Sequence, residues 1–418
     1  MGMGEEREMG GGGPQNLDVA RAAGGHYCAE CMAIAAWADA TCGYCQTARP
    51  AAGWAALESA QDPWLGRIVG RRYRVTRRIA TGMVARVYEA ESLHIPRKFA
   101  LKIVDFGANS GAPNPEVVRA RLGREISAMS RLQNPHIVSI FEVLQLSEDC
   151  EALVMDYIRA PTLTELLAEV GALGWGRACQ MARQIATAAH AAHEVGVVHR
   201  DLKPANIMVE AIAGGEDFIH LLDFGIVWLD DGLAITNGFV GTPLYASPEQ
   251  ACGGTVDPRS DVYSLGVILF EMLVGHPPFE SPKIREVLRM HVRQPAPGLR
   301  ESAPYRAFPP RLCQLVAKML QKKRRERPQN LLAFIDEIDG ILAAQREVHG
   351  IPRPPAVNSV APTPRRPGFG SEDDGHAAST FVGHGVLERF ASPLPRGHTK
   401  FVMPAILSEM KYNHPPLL

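Results

Sequence analysis

The stretch that decides the fold opens with His199-Arg200-Asp201-Leu202-Lys203-Pro204-Ala205-Asn206 and ends with Asp223-Phe224-Gly225. Short apolar runs stand before and after the first segment and before the second, at residues 195–198, 207–209 and 218–222. Apolar runs of this length, interrupted by polar residues, are typical of buried strands that hold functional loops. The pattern therefore predicts that two acids and an amide are held on two short loops.

Three polar residues of this stretch have the chemistry that phosphoryl transfer requires. That reaction needs a group that orients the attacking hydroxyl, and it needs oxygen ligands for Mg²⁺. Asp201 is suited to orienting the hydroxyl. Asn206 and Asp223 are suited to the metal, because Mg²⁺ prefers a few protein oxygens completed by phosphate and water. Each residue alone is also a common turn former, so the prediction depends on the three together.

The joint motif resembles the catalytic loop and the metal loop of the protein kinase family, H-R-D-L-K-x-x-N followed by D-F-G. The later run Ser247-Pro248-Glu249-Gln250 is similar to that of bacterial serine/threonine kinases of the eukaryotic-like, or Hanks, type. The resemblance implies an α+β, two-lobed protein-kinase fold, with a β-rich small lobe at residues 66–156 and a helical large lobe at 157–345. It also implies ATP and Mg²⁺, or Mn²⁺, as cofactors and protein hydroxyl groups as substrates.

The same resemblance gives specificity and regulatory roles to residues around the motif. Lys203 follows Asp201 by two positions, as in serine/threonine rather than tyrosine kinases, and would neutralise the transferred γ-phosphate. Arg200 would receive a phosphate placed on the activation segment, where Thr236 is the candidate acceptor. The alternative is that Thr236 is an ordinary loop residue. Thr242 would hydrogen-bond to Asp201 and Lys203.

The large lobe offers two structural predictions from the family pattern. Glu249 ends the activation segment and needs a buried cationic partner, for which Arg327 matches the family's distant arginine. Asp261 matches the helix acid that braces the backbone of the catalytic loop. Both pairs would stabilise the site without touching the substrate.

In the small lobe, Ala100-Leu101-Lys102-Ile103 resembles the strand that carries the family's phosphate-binding lysine. Lys102 would hold the α- and β-phosphates, and Glu125, on a helix with apolar periodicity, is its expected ion-pair partner. The alternatives are a surface lysine on an edge strand and a solvated helix glutamate. A second D-F-G, Asp105-Phe106-Gly107, follows Lys102 too closely to bind the same metal and is predicted to be a strand-end turn.

The loop expected to cover the phosphates keeps only one of the family's three glycines, Gly82. Ala80 and Ala85 stand in place of the other two. Glycine lets backbone N–H groups approach phosphates closely, so this departure bears on ATP affinity and rate without by itself abolishing nucleotide binding. The remaining positions that the resemblance assigns to the nucleotide are Ile79, Val87, Ala100 and Met155, with Met155 at the back of the adenine pocket. The last small-lobe strand would run into the hinge between the lobes, where the backbone of Asp156 and Ile158 would meet the adenine edge.

Two C-x-x-C pairs stand near the N-terminus. Their members are Cys28, Cys31, Cys42 and Cys45. Such pairs can close a tetrahedral thiolate site for structural Zn²⁺, and Gly43 suits a tight turn between two ligands. We therefore predict a zinc ribbon at residues 26–46 within a flexible arm at 1–65; the alternative is four unliganded thiols. His26 is interpreted as a bystander, with a role as a substitute ligand as the alternative. The Ala-rich segment 51–62 is predicted to be helical.

Composition and charge exclude several classes of protein. The chain has 418 residues, 46% hydrophobic and 21% charged, and its net charge of −1 gives no sign of nucleic-acid binding. The basic run at 322–325 lacks interleaved aromatic residues and is predicted to be a solvated patch. Neither a membrane span nor a signal peptide is indicated, so a cytoplasmic, reducing location is predicted. Pro and Gly recur at residues 346–418, which are predicted to be a disordered tail.

Two functional hypotheses from different classes follow. The first is an active serine/threonine kinase that is regulated by autophosphorylation of its activation segment, with a homodimer as the state that autophosphorylates. The second is a pseudokinase scaffold that binds partners through the N-terminal arm and the tail. The complete set of active-site residues favours the first hypothesis, whereas Ala80 and Ala85 favour the second. A small-molecule kinase ranks last, since it would not be expected to carry the activation segment together with Arg327.

Overall fold

The computed structural model describes residues 25–57, 61–82, 85–106, 119, 122–123, 126–129, 132–224 and 243–349, with side chains as far as residue 344. The predicted site residues Glu125, Thr236 and Thr242 lie outside these ranges, as does most of the predicted tail. The first residues of that tail, 346–349, instead continue the last helix. No glycine or proline stands between Gly340 and Gly350, so the sequence offers no helix stop at residue 345.

The N-terminal segment forms a small antiparallel sheet. Its strands are β1 (His26–Tyr27), β2 (Ile34–Ala35) and β3 (Ala55–Ala56). Strand β1 lies between the other two. The predicted helix over 51–62 is therefore wrong at its centre. Helix propensity is a weak preference, and here it is outweighed by pairing of β3 with β1 and by burial of Trp54 and Leu57.

A larger antiparallel sheet forms the small lobe. Its strands are β4 (Ile68–Val69), β5 (Tyr73–Thr81), β6 (Ala85–Ser92), β7 (Lys98–Asp105), β8 (Ile140–Ser147) and β9 (Cys150–Asp156). They lie in the order β4-β5-β6-β7-β9-β8. Strand β7 lies between β6 and β9 inside the sheet, and it is accordingly buried along all but its end residues. Asp105 is its last residue, as expected for the second D-F-G.

The small N-terminal sheet docks on β5 beyond the two residues of that strand that pair with β4. Ala33 forms a bridge with Arg77, and the backbone N–H of Arg78 donates to the carbonyl of Met32 at 3.4 Å. Met32 and Ile34 also pack against the apolar core of the small lobe. The described part of the predicted arm is therefore attached to the sheet that carries Lys102.

Helices and one hairpin form the large lobe. They are α1 (Leu163–Val170), α2 (Trp175–Glu194), β10 (Ile207–Ala211), β11 (Asp217–Leu221), α3 (Pro248–Ala251), α4 (Pro258–Val274), α5 (Ile284–Arg293), α6 (Leu299–Ser302), α7 (Pro310–Met319) and α8 (Leu331–His349). Helix α4 is apolar around most of its circumference, and it is accordingly buried in the core. Across the part of the chain that the structure describes, no helix combines the length and the apolar character of a membrane span.

Candidate active site

The backbone of the catalytic loop is braced from helix α4. Asp261 is 1% exposed and accepts hydrogen bonds from the N–H groups of His199 at 2.8 Å and Arg200 at 3.0 Å. Its Oδ2 also lies 2.7 Å from Nε2 of His193 on α2. These bonds hold Arg200 at a φ of 64°, which residues other than glycine rarely adopt. The predicted brace is confirmed, and His193 is a partner that the sequence did not indicate.

Asp201 lies at the centre of the polar cluster. Nζ of Lys203 donates to its Oδ2 at 2.7 Å. Nδ2 of Asn206 donates to the Asp201 carbonyl at 2.8 Å and to Oδ2 at 3.1 Å. A 3₁₀ turn, Pro204–Asn206, brings the amide back to the acid. Because the amide nitrogen of Asn206 is committed to Asp201, its amide oxygen is the atom left for a metal ion.

Two hydrogen bonds join the catalytic loop to the segment that carries Asp223. Nε2 of His199 donates to the carbonyl of Leu222 at 2.9 Å, and the N–H of Leu222 donates to the carbonyl of Asn206 at 2.9 Å. Nδ1 of His199 accepts from the N–H of Asp201 at 3.3 Å, so a neutral imidazole satisfies both contacts. Burial lowers the pKa of His199 despite the nearby carboxylates, which favours that neutral form. His199 thus positions the two loops.

Lys102 and Asp223 meet across the two lobes. Nζ of Lys102 lies 2.7 Å from Oδ1 of Asp223. Burial raises the pKa of Asp223, but the nearby cationic groups, above all the Lys102 ammonium, together lower it by more, so the carboxylate is ionised. Asp223 has a φ of 45°, and strained backbone of this kind is concentrated at functional sites. The predicted partner Glu125 lies outside the described residues, so its pairing with Lys102 stays a prediction.

The strand register places Lys102 and three other predicted nucleotide positions on one face of the main sheet. Val87 is paired with Lys102, and Ala100 is paired with Met155. Directly opposed residues share a face, as do residues two apart along a strand. The side chains of these four residues therefore lie on the face that carries Lys102 towards Asp223.

The other predicted nucleotide positions lie at the ends of this face. Ile79 belongs to β5, and the N–H of Gly82 donates to the carbonyl of Ala85 at 2.8 Å in the turn that follows. Asp156 ends β9, and Ile158 follows it. The sheet therefore brings the predicted phosphate-covering loop and the predicted hinge to opposite ends of one surface.

A second cluster of reactive groups lies in the N-terminal ribbon. The four sulfur atoms of its cysteines all lie within 4.8 Å of one another. The shortest separations are 3.6 Å for Cys28–Cys45 and 3.5 Å for Cys31–Cys42. These distances are far longer than a disulfide bond of about 2.05 Å. They are close to the separation of about 3.8 Å expected for four thiolates around Zn²⁺ at about 2.3 Å, so the cluster fits a tetrahedral zinc ion.

Buried contacts hold Glu249 and Gln250, which stand at the end of the predicted activation segment. Both carboxylate oxygens of Glu249 bond to the guanidinium of Arg327, at 2.8 and 2.9 Å. This pairing confirms the prediction. Nε2 of Gln250 donates to the carbonyl of Arg200 at 2.6 Å. Gln250, which the sequence did not single out, thus ties α3 directly to the catalytic loop.

Comparison with known proteins gives a consistent result. The family model described as "Protein kinase domain" matches residues 73–337. The chain is 34% identical over 360 residues to serine/threonine-protein kinase pkn3 of Myxococcus xanthus, covering 84% of this chain and 64% of that protein. It is 38% identical over 257 residues to serine/threonine-protein kinase PknD of Mycobacterium tuberculosis, covering 61% of this chain and 37% of that protein. The chain thus spans less than two thirds of the length of these curated relatives.

A solved structure supports the fold. The crystal structure of Rad53 residues 1–466 in complex with AMP-PNP is similar with a TM-score of 0.53 and 22% sequence identity, over 64% of each chain. At this identity the likeness concerns the fold alone. Together with the family match, it confirms the predicted two-lobed architecture, while the zinc site and the tail stay predictions.

Proposed function

This chain belongs to the protein kinase domain family, and from that premise we propose that it is an ATP-dependent serine/threonine protein kinase. The observation that carries the proposal is a pair of contact groups: Lys102 lies 2.7 Å from Asp223, and Asp201 accepts from Lys203 and Asn206 at 2.7–3.1 Å. The backbone bond from the N–H of Leu222 to the carbonyl of Asn206 joins the two groups. These are the groups that phosphoryl transfer from ATP needs. The named activity of the relatives adds support.

Each residue of the site has a distinct task in this proposal. Asp201 accepts the hydroxyl hydrogen of a protein serine or threonine and aims its oxygen at the γ-phosphate. Lys203 already contacts Asp201 and offsets the negative charge that moves with the phosphoryl group. Lys102 holds the α- and β-phosphates. Mg²⁺ held by the oxygens of Asn206 and Asp223 would neutralise charge on the β- and γ-phosphates.

Serine/threonine specificity and autophosphorylation complete the proposal. Lys203 at two positions after Asp201 favours serine and threonine as acceptors. Thr236 is the proposed acceptor of an activating phosphate, and Arg200 is its proposed receptor. The position of Arg200 supports this role, because both its N–H and its carbonyl are fixed by Asp261 and Gln250. A homodimer and a cytoplasmic location stay predictions, and the free thiols of the described cysteines suit a reducing compartment.

We expect the purified full-length chain to transfer labelled phosphate from ATP and Mg²⁺ to itself and to a generic protein substrate. Phosphoamino-acid analysis should give phosphoserine and phosphothreonine, because Lys203 marks a site for aliphatic hydroxyls. The matched control is Lys102→Met, which removes the ammonium that lies 2.7 Å from Asp223 while keeping an apolar stem on β7. Incorporation no higher than in this variant would support the pseudokinase scaffold instead.

We also propose that the ribbon cysteines bind one structural Zn²⁺ per chain. Four thiolates and no open position favour a structural ion over a catalytic one. Metal analysis of the full-length protein should give one zinc per chain, and Cys42→Ser should reduce it. Cys252→Ser is the control, since Cys252 is exposed in the large lobe and outside the cluster. A folded protein without metal would contradict the zinc site.

A further inference from the structure

Tyr44 links the cysteine cluster to three strands of the main sheet. It stands between Gly43 and Cys45 in the second C-x-x-C turn. Its hydroxyl donates to Oε1 of Glu89 on β6 and accepts from Nζ of Lys98 on β7, at 2.9 Å for the lysine. The guanidinium carbon of Arg77 on β5 lies 4.6 Å from the centre of its ring.

Glu89, the partner of Tyr44, is a buried and ion-paired residue. Its side chain is fully buried, and it is paired with Lys98 at 2.6 Å and with Arg77 at 3.2 Å. Burial raises the pKa of Glu89, but hydrogen bonds from Lys98 and Tyr44 and the charge of Arg77 lower it by more. A buried carboxylate stays ionised only when such donors replace water. Tyr44 therefore supplies part of the environment that keeps Glu89 charged.

The contact lies on the face of the sheet that carries the predicted nucleotide positions. Glu89 is two residues from Val87 along β6, and Lys98 is two residues from Ala100 along β7. Residues two apart share a face and lie about 6.8 Å from each other. Glu89 is also directly paired with Ala100. Tyr44 thus packs one step along the same surface from the predicted nucleotide positions Val87 and Ala100.

The ribbon holds the edge of the sheet from both faces. Its residues Met32 and Ile34 pack against the core that contains Tyr88 and Leu101. Those two core residues alternate with Glu89 and Ala100 along their strands, so they lie on the opposite face. With Tyr44 on one face and the apolar contacts on the other, the ribbon cannot shift without disturbing β5, β6 and β7.

Arg77 continues the connection into the predicted hinge. Besides its contacts with Tyr44 and Glu89, its Nη2 donates to the hydroxyl of Tyr157 at 3.2 Å. Tyr157 stands between Asp156 and Ile158, whose backbone groups are predicted to meet the adenine edge. A chain of direct contacts therefore runs from the cysteine cluster to the hinge.

The metal site sets the position of Tyr44, because two of the cysteines flank it. The N–H of Tyr44 lies 3.4 Å from Sγ of Cys42, and Cys45 follows directly. A metal ion bound by both sulfurs fixes the turn at each end. Apart from a metal ion, the described contacts across this turn are a few local hydrogen bonds, such as Cys42 N–H to the carbonyl of Thr47 at 2.8 Å and Cys45 Sγ to the hydroxyl of Thr47 at 3.1 Å. Metal loading should therefore decide how firmly Tyr44 is held against Glu89.

We infer that Zn²⁺ on the four cysteines raises the affinity of the active site for ATP, by holding Tyr44 against Glu89 so that Arg77 and Tyr157 keep the hinge in place. This inference rests on the proposed kinase function and on the proposed zinc site. Tyr44 acts here as a positioning residue for nucleotide, and the two states are a ribbon with Tyr44 seated and one with Tyr44 released. Couplings between sites are typically about 5-fold to 150-fold in affinity.

The test is calorimetric binding of a non-hydrolysable ATP analogue with Mg²⁺ to the full-length protein. We expect Tyr44→Phe to retain one zinc per chain. Its dissociation constant for the ATP analogue should rise at least about fivefold. The KM for ATP should rise in parallel while kcat changes little, since Asp201 and Lys203 are untouched. Zinc removal from the wild type should weaken binding at least as much. Zinc removal from Tyr44→Phe should add little, because both changes act through the same contact.

Tyr73→Phe is the matched control. Tyr73 also donates to a glutamate of the main sheet, Glu142, but it contacts neither the ribbon turn nor Tyr157. Equal dissociation constants for Tyr44→Phe, Tyr73→Phe and the wild type would overturn the inference and leave the kinase proposal standing. So would equal weakening by zinc removal in the wild type and in Tyr44→Phe. Failure of the zinc-loaded wild type to bind nucleotide would instead overturn the proposed function on which the inference depends.

Discussion

Replacement of Asp201 with Asn is expected to slow phosphoryl transfer to protein by about 10²- to 10⁴-fold, the usual contribution of a positioned general base. The substitution keeps the size of the side chain but removes the acceptor that Lys203 and Asn206 now share. An asparagine at this position has a single side-chain oxygen. If that oxygen faces the substrate, its NH₂ group lies against the donors of Lys203 and Asn206; if it accepts from those donors, no oxygen is left for the substrate hydroxyl. Nucleotide affinity should be almost unchanged, because Lys102 and Asp223 lie on other segments.

The measurement is the initial rate of labelled phosphate transfer, beside calorimetric binding of an ATP analogue. Asp217→Asn is the control, since it makes the same chemical change on β11, the strand that leads to Asp223. Asp217 is paired with Arg177 at 2.7 Å, away from the polar cluster. Its rate should stay close to that of the wild type. Equal rates for the two variants would contradict the role given to Asp201.

The active site could be predicted from sequence because its geometry is mostly local. Asp201, Lys203 and Asn206 lie within six residues, and one 3₁₀ turn is enough to bring the acid, ammonium and amide together. The link to Asp223 needs a longer path, which the pairing of β10 with β11 supplies, and Lys102 meets Asp223 across 121 positions of the chain. A short motif followed by two strands therefore carries the part of the site that lies in the large lobe.

The N-terminal ribbon shows where sequence reasoning stops. The spacing of the cysteines indicates the metal cluster, but nothing in it indicates the surface on which the cluster docks. Tyr44 meets Glu89 across 45 positions of the chain, and this contact depends on burial of a charge that no local pattern reveals. The error over 51–62 has the same origin, because the partner that makes Ala55–Ala56 a strand lies at His26–Tyr27. A signal was available only in part: the aromatic Tyr44 stands between two of the cysteines that are predicted to bind the metal.

Replacement of Arg327 with Met is expected to lower the free energy of unfolding by about 3–5 kcal/mol, the usual cost of leaving one member of a buried ion pair uncompensated. Arg327 is 2% exposed. Its guanidinium has five N–H groups, and all of them have acceptors here. The acceptors are both carboxylate oxygens of Glu249 and the carbonyls of Arg259, Gln321 and Lys322. Methionine would remove all five of these donors. The hydroxyl of Ser260 would still donate to Oε1 of Glu249 at 2.6 Å, but the buried charge of Glu249 would be uncompensated.

The effect should reach the active site as well as the fold. Glu249 lies in the short helix α3, whose Gln250 holds the carbonyl of Arg200. Loss of the pair should therefore loosen the backbone next to Asp201, and the rate of phosphoryl transfer should fall at temperatures where the protein is still folded. Burial raises the pKa of Glu249 and Arg327 lowers it by more. Without Arg327, protonation of Glu249 would offset part of the loss, so the stability deficit should narrow as the pH falls towards the ordinary pKa of glutamate, about 4.3.

The measurement is the free energy of unfolding by urea, and Arg183→Met is the control. The ion pair of Arg183 has a geometry similar to that of Arg327, but it is exposed to solvent instead of buried. Arg183 makes a two-point ion pair with Asp339, and the two side chains are 44% and 45% exposed. An exposed pair of this kind contributes about 0–1 kcal/mol, so Arg183→Met should change the unfolding free energy little. The double variant Glu249→Met with Arg327→Met should recover part of the deficit of Arg327→Met, since it removes the uncompensated charge. Equal deficits for Arg327→Met and Arg183→Met would mean that burial does not govern the strength of this pair, and the link from Glu249 to the catalytic loop would then need another explanation.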